Sequence, residues 1–193
     1  YVFAGDLRGE NDKAKVYEYY VNRQQAIYAL DFDDLLLYTV RMFRQFAEIQ
    51  AKWVQRFHYI HVDEFQDIDK IQYDLIQLLA GNDNSVYVVG DPDQTIYTWR
   101  GANIRYLLDF DQVFPGTRTI LMMENYRSTP QILDCALPVI ASGLPPQERE
   151  TRRLGAMRPD GCAVRLLTAE TPFSEALFIA KEINRMVGGI DML

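Results

Sequence analysis

The sequence predicts an α/β fold, with parallel sheets flanked by helices. Three observations carry the prediction. Two apolar runs of strand length, at 59–62 and 85–89, each end in acids: Asp63 and Glu64 after the first, Asp91 and Asp93 after Gly90. A helical pattern beginning near Asp69 joins the first run to the second. Another helical pattern follows, so the order is strand, acidic loop, helix, strand, acidic loop, helix. That is the order of right-handed crossover units, and it brings both acidic loops to the C-terminal edge of one sheet, where such proteins hold their ligands.

Each element has its own grounds. Residues 13–28 set Tyr17, Tyr20, Ile27 and Tyr28 among charges at helical spacing, and core packing is the expected role of these aromatics. Asp31 caps a second helix that carries Leu35, Val40, Met42, Phe43 and Phe46 toward Trp53. After the first buried strand, a helix with Ile71, Leu75, Leu78 and Leu79 on one face runs to the turn Gly81-Asn82-Asp83-Asn84. The second buried strand is followed by a helix near 104–110, the turn Phe114-Pro115-Gly116, and a third strand at 119–122. Thr129 and Pro130 make an N-cap and a first-turn proline for the apolar helix 132–140. Residues 143–153 read as an exposed connection. Its Arg149, Arg152 and Arg153, with Arg158 beyond, form a solvated basic run partly balanced by Glu148 and Glu150. A strand at 163–167 and an amphipathic helix at 173–187 follow. There is no internal repeat.

At 193 residues, 48% hydrophobic and 24% charged, the chain has room for one large domain or two small ones. Its net charge of -7 gives nucleic acid no global attraction, so binding there has to come from a local patch. Cys135 and Cys162 lack zinc-type spacing and read as reduced thiols of a cytoplasmic protein. No apolar run reaches membrane-spanning length, so no membrane partner is expected. Tyr1 in place of Met, and an apolar close at 188–193, suggest a piece of something longer.

Two adjacent acids at a strand end suit nucleotide hydrolysis because their roles separate. Asp63 can hold magnesium through water, while Glu64 orients and deprotonates the attacking water. The pair alone is equally compatible with helix capping, as Asp67 and Asp69 are. The stretch 89–102 adds to it. Gly90 allows a tight turn at the sheet edge, and Gln94 offers an amide to a phosphate or a catalytic water. Tyr97 and Trp99, two apart on an extended segment, put both rings on one side with Arg100 beside them. Such a platform stacks single-stranded bases at about 1–3 kcal/mol each.

Asp63-Glu64-Phe65-Gln66-Asp67, the stretch 90–102 and Asn125-Tyr126-Arg127-Ser128 closely resemble motifs II, III and IV of the superfamily 1 DNA helicases of the UvrD, Rep and PcrA type. Asp31-Phe32-Asp33-Asp34-Leu35-Leu36 resembles the segment that precedes motif II there. The resemblance covers nearly the whole chain and thins after about Leu144. It implies parts of two RecA-like P-loop NTPase domains: 1–28 as the tail of an inserted helical subdomain, 29–116 as the C-terminal part of the first domain, and 117–193 as the N-terminal part of the second. It implies ATP and magnesium as cofactors and single-stranded DNA as partner. Asp63 becomes the magnesium acid, Glu64 the general base, and Gln66 and Asp67 supports of the loop. Gln94 senses the γ-phosphate, and Tyr97, Trp99 and Arg100 touch single-stranded DNA. Tyr126 stacks on adenine, and Arg127 reaches the γ-phosphate as an arginine finger.

Two departures qualify this expectation. No Gly-x-x-x-x-Gly-Lys-Ser/Thr occurs in the chain, and the family's motifs V and VI are expected beyond residue 193. The 193 residues alone are therefore expected not to turn over ATP, and incomplete sheets with exposed edges invite self-association. A non-catalytic module that binds nucleic acid or a partner is the alternative. A metal nuclease using Asp63, Glu64, Asp91 and Asp93 ranks last, because no lysine stands two residues after an acid.

Overall fold

Residues 12–81, 84–144 and 153–188 are described by the computed structural model, and the chain divides into two units, Tyr1–Arg118 and Thr119–Leu193. Asn82, Asp83, most of the expected connection at 143–153, and 189–193 of the chain's close lie outside the described residues.

In the first unit the order is α1 (Asp12–Ala26), α2 (Phe32–Gln45), α3 (Ala47–Arg56), β1 (Tyr59–Val62), α4 (Lys70–Leu79), β2 (Ser85–Val88), α5 (Arg105–Leu108) and α6 (Phe110–Val113). β1 and β2 pair in parallel, from Tyr59 opposite Ser85 to Val62 opposite Val88. Both alternate exposed and half-buried residues. This corrects the expected fully buried strands: Tyr59, His61 and Tyr87 occupy an uncovered face, with the His61 and Tyr87 rings 5.4 Å apart. Ile60, Val62, Val86 and Val88 are the half-buried positions, and Val62, Val86 and Val88 pack on the core.

That core centres on Phe65, which is fully buried and joined by Ile68, Tyr73, Ile76 and Phe110. Phe65 meets Phe110 edge-on at 5.5 Å and Tyr73 at 6.4 Å, and Tyr73 stacks on Tyr106 at 4.1 Å. These are favourable aromatic geometries. The anchor of the core is thus the residue directly after Glu64.

The helices are held by caps legible in the sequence. Asp31 accepts the Asp34 amide at 2.8 Å and Asp34 accepts the Asp31 amide in return. The Asp34 amide and the Tyr20 hydroxyl hold the Asp31 carboxyl below its usual range. Asp69 caps α4 through the Ile71 and Gln72 amides, both at 2.9 Å, with Gln72 reciprocating. Within α4, the buried Asp74 pairs with Arg44 of α2 at 2.7 Å and with Lys70, tying the two helices together. The stretch expected as one helix toward Trp53 is broken at Phe46, whose φ of −126° and ψ of 88° end α2 and start α3. The aromatics of α1 also differ from expectation. Only Ala14 is buried there, and Tyr17, Tyr20, Ile27 and Tyr28 are exposed. Helical spacing alone does not supply the neighbour against which such a face would pack.

The second unit contains β3 (Glu124–Asn125), α7 (Pro130–Ser142), β4 (Gly155–Ala156) and α8 (Pro172–Met186). β3 and β4 pair in parallel. The strands expected at 119–122 and 163–167 do not form. Ile120, Leu121 and Met122 are each 67% exposed, and among the described residues no strand lies beside either segment to take its backbone hydrogen bonds. The ladder forms just beyond, where the Gly155 amide donates to Met123 and the Met157 amide to Asn125. Thr171 caps α8 with Ser174 in a capping box. Near its end Glu182 pairs with Arg185 and Arg165, and the Arg185 guanidinium chiefly holds the Glu182 carboxyl below its usual range.

Cys135 and Cys162 are both free. Among the described residues, no helix is long and apolar enough to cross a membrane.

Candidate functional site

The β1–β2 ladder positions the two acids. The Val89 amide donates to Val62, and the Phe65 amide donates back to Val89, both at 2.9 Å. Asp63 and Glu64 are squeezed out between these two bonds and stand exposed at the C-terminal edge. Glu64 adopts φ 51° and ψ 42°, a left-handed conformation that costs a residue with a side chain about 1–3 kcal/mol. The strain persists because Phe65, the next residue, is locked into the core. Asp63 Oδ1 accepts the Glu64 amide at 2.9 Å.

Behind the acids lies Gln66, 1% exposed. Its Nε2 donates to Glu64 Oε2 at 2.7 Å, and its Oε1 accepts the Asp91 amide at 3.0 Å. Asp91 in turn accepts from Gln94 Nε2 at 2.7 Å and from the Asp93 amide at 2.9 Å. One hydrogen-bonded chain therefore runs Glu64, Gln66, Asp91, Gln94, joining the loop after β1 to the loop after β2. Asp67 Oδ1 is buried without a hydrogen-bond partner.

Among the described residues no Lys or Arg pairs with Asp63, Glu64 or Asp91, so this edge is a concentration of uncompensated negative charge. Nor do three or more His, Cys, Asp or Glu groups there converge on a common point that could hold a metal. A multi-carboxylate nuclease centre therefore finds no ligand set among the described residues. Magnesium in nucleotide sites takes one or two carboxylates and completes its octahedron with water and phosphate oxygens. An exposed Asp63 beside a fixed Glu64 fits that smaller demand.

Trp99 and Arg100 lie on a 3-10 turn, Thr98–Arg100, that Tyr97 immediately precedes, and not on the expected extended segment. Gly101, at φ 93°, closes the turn by donating its amide to Thr98. The rings still come together. Their centroids are 6.4 Å apart, and the Arg100 guanidinium sits 5.9 Å from the Tyr97 ring and 5.8 Å from the Trp99 ring. Trp99 is 78% exposed, which removes it from the core. The Asn103 amide donates to Ile68, tying this platform back to the segment that follows Asp67. A cleft of about 1060 Å³ beside it is lined by Tyr97, Arg100, Asp31, Asp33, Asp34 and Asp67, among others. Its carboxylates outnumber its cations, Lys13 and Arg100.

In the second unit Asn125 Oδ1 accepts the amides of Arg127 and Ser128 at 3.0 and 2.7 Å, a side-chain-built turn that presents Tyr126 and Arg127 to solvent. The Tyr126 hydroxyl donates to Glu124, which raises its pKa above the usual phenol value. The Arg127 carbonyl accepts from Arg158, while among the described residues no carboxylate pairs with the Arg127 guanidinium.

Residue-by-residue reading names Asp91 as a loop acid and Gln66 as a support of its own loop, and misses the bond that joins them. Gln66 is a lone amide between the core residue Phe65 and Asp67, and its burial appears only in the fold.

Residues 5–115 match the family described as the UvrD/REP helicase N-terminal domain. The chain is 37% identical over 186 residues to the ATP-dependent DNA helicase PcrA of Leuconostoc citreum, covering 96% of this chain and 24% of that one. It is 39% identical over 178 residues to a probable DNA helicase II homolog of Mycoplasma capricolum, covering 92% and 24%. It is 41% identical over 172 residues to PcrA of Staphylococcus epidermidis, covering 89% and 23%. The chain spans about a quarter of the length of these relatives.

Proposed function

The chain belongs to the UvrD/REP helicase N-terminal domain family, and on that premise we propose that it is the central segment of an ATP-dependent helicase that moves along single-stranded DNA. The reading carries motifs II, III and IV onto 63–67, 90–102 and 125–128, and the RecA-like assignment onto 29–116 and 117–193. Asp63 takes the magnesium ion that accompanies ATP. Glu64 orients and deprotonates the attacking water. Gln94 senses the γ-phosphate, Tyr126 stacks on adenine, and Arg127 stabilises charge on the transferred phosphoryl group. Tyr97, Trp99 and Arg100 hold single-stranded bases. A cytoplasmic location goes with this role. Self-association through the sheet edges finds no support in the fold or the relatives and is not part of the proposal.

The observation that supports this reading best is the continuous link from the exposed Glu64 carboxylate through Gln66 and Asp91 to Gln94, three residues before the Tyr97–Trp99–Arg100 cluster. A hydrolytic carboxylate and an exposed aromatic–arginine platform on one short rigid connection is what a motor needs to make hydrolysis respond to DNA. The 193 residues contain no glycine-rich phosphate loop with its lysine, so this segment alone is expected not to hydrolyse ATP.

Substitution of the platform tests the DNA role. In the full-length protein, Trp99→Ala is expected to weaken single-strand binding by about 1–3 kcal/mol and to lower DNA stimulation more than basal ATP hydrolysis. Fluorescence anisotropy with an oligothymidylate, beside steady-state hydrolysis, measures both. Unchanged DNA affinity would remove Trp99 from the binding surface.

A further inference from the structure

Gln66 is a polar side chain with almost no exposure, in a slot that admits little else. A Cβ added to Gly90 would stand 2.8 Å from Gln66 Oε1, 3.2 Å from the Gln66 backbone nitrogen and 3.2 Å from Leu107 Cδ2. The partners dictate the orientation of the amide. A carboxylate can only accept and a backbone N–H can only donate, so Nε2 must face Glu64 and Oε1 must face Asp91. Nε2 also lies 3.5 Å from Asp67 Oδ2. Only a neutral group with a donor at one corner and an acceptor at the other satisfies both sides.

Resting on the reading of Glu64 as general base, we infer that Gln66 is a positioning residue for hydrolysis, whose buried amide holds the Glu64 carboxylate at a fixed spacing from the loop that carries Gln94. An exposed glutamate side chain otherwise samples several rotamers, and only those aimed at the attacking water are productive. The short bond from a buried, immobile donor selects one of them. The bond from the Asp91 amide fixes the donor itself. Because Asp91 also holds Gln94, a displacement of either loop is transmitted to the other through this one amide.

The test uses the full-length protein that carries this chain, in steady-state ATP hydrolysis with saturating single-stranded DNA. Four forms are compared: unmutated, Glu64→Gln, Gln66→Met and Gly90→Ala. Gln66→Met keeps the length and removes the amide's hydrogen bonds to Glu64, Asp67 and Asp91. Gly90→Ala leaves the amide intact and pushes it from its slot. Each is expected to lower kcat roughly 10- to 100-fold, as loss of an orienting partner does elsewhere, with the KM for ATP within about twofold of the unmutated value once kcat is scaled to the folded fraction. Should Gln66→Met fail to fold, Gly90→Ala still decides. A scaled kcat within about twofold of unmutated in the folded variants, or a loss explained wholly by unfolding, overturns the inference. A kcat of Glu64→Gln within about tenfold of unmutated, well short of the loss expected of a general base, overturns the underlying reading instead, and this inference with it.

Discussion

Glu64→Gln in the full-length protein is expected to lower the rate of ATP hydrolysis by about a hundredfold to ten-thousandfold, the range that general-base catalysis contributes, while ATP still binds. The substitution is nearly isosteric. The amide oxygen of the new side chain can still accept from Gln66 Nε2, and the left-handed backbone at this position is held by the neighbouring ladder bonds and by Phe65, not by the carboxylate. What is lost is the negative charge that takes a proton from water. Equilibrium binding of a fluorescent ATP analogue, measured beside hydrolysis, separates the two effects. Equal loss of binding and hydrolysis would assign Glu64 a structural role.

Phe65→Ala is expected to destabilise the first unit by about 3–5 kcal/mol, read from denaturant midpoints. Phe65 is fully buried and touches both aromatic clusters, Tyr73 with Tyr106 on one side and Phe110 with Phe114 on the other. Its removal leaves a cavity lined by residues from α4, α5, α6 and the sheet, and these are too firmly tied to collapse into it. Against a typical domain stability of about 5–15 kcal/mol, the loss is severe. It also bears on the site, because Phe65 stands between Glu64 and Gln66 and is what holds the strained Glu64 in place. Tyr59→Ala serves as the control. This ring is 73% exposed on the uncovered face of β1, and its removal is expected to change stability by no more than about 0.5 kcal/mol.

Much of this site is written in local patterns. An apolar run followed by two acids marks β1 and the acidic edge, because burial and charge change at one point in the chain. Asp31 and Asp69 announce their helices, since capping is a short-range interaction between a carboxylate and amides two or three residues on. What escapes local reading depends on neighbours distant in sequence. The segment 119–122 has the composition of a strand, but a strand exists only where another offers its backbone, and here the pairing falls at Glu124 and Asn125. The α1 tyrosines follow a helical period, yet their rings are exposed, and Tyr20 donates its hydroxyl to Asp31 at the start of α2. The turn at Thr98–Arg100 depends on Gly101 adopting a positive φ, so Tyr97 and Trp99 meet by a route that two-residue spacing does not describe. A single glutamine gives no periodic signal at all, and the role of Gln66 becomes visible only once its two partners, 2 and 25 residues away, are seen beside it.

Coupling of the proposed hydrolytic edge to the proposed single-strand platform is measured by ATP hydrolysis in the full-length protein, with and without single-stranded DNA. Hydrolysis that depends on magnesium and rises several-fold or more when oligothymidylate is added is the expected result. DNA binding without any hydrolysis, or hydrolysis indifferent to single-stranded DNA, would contradict it.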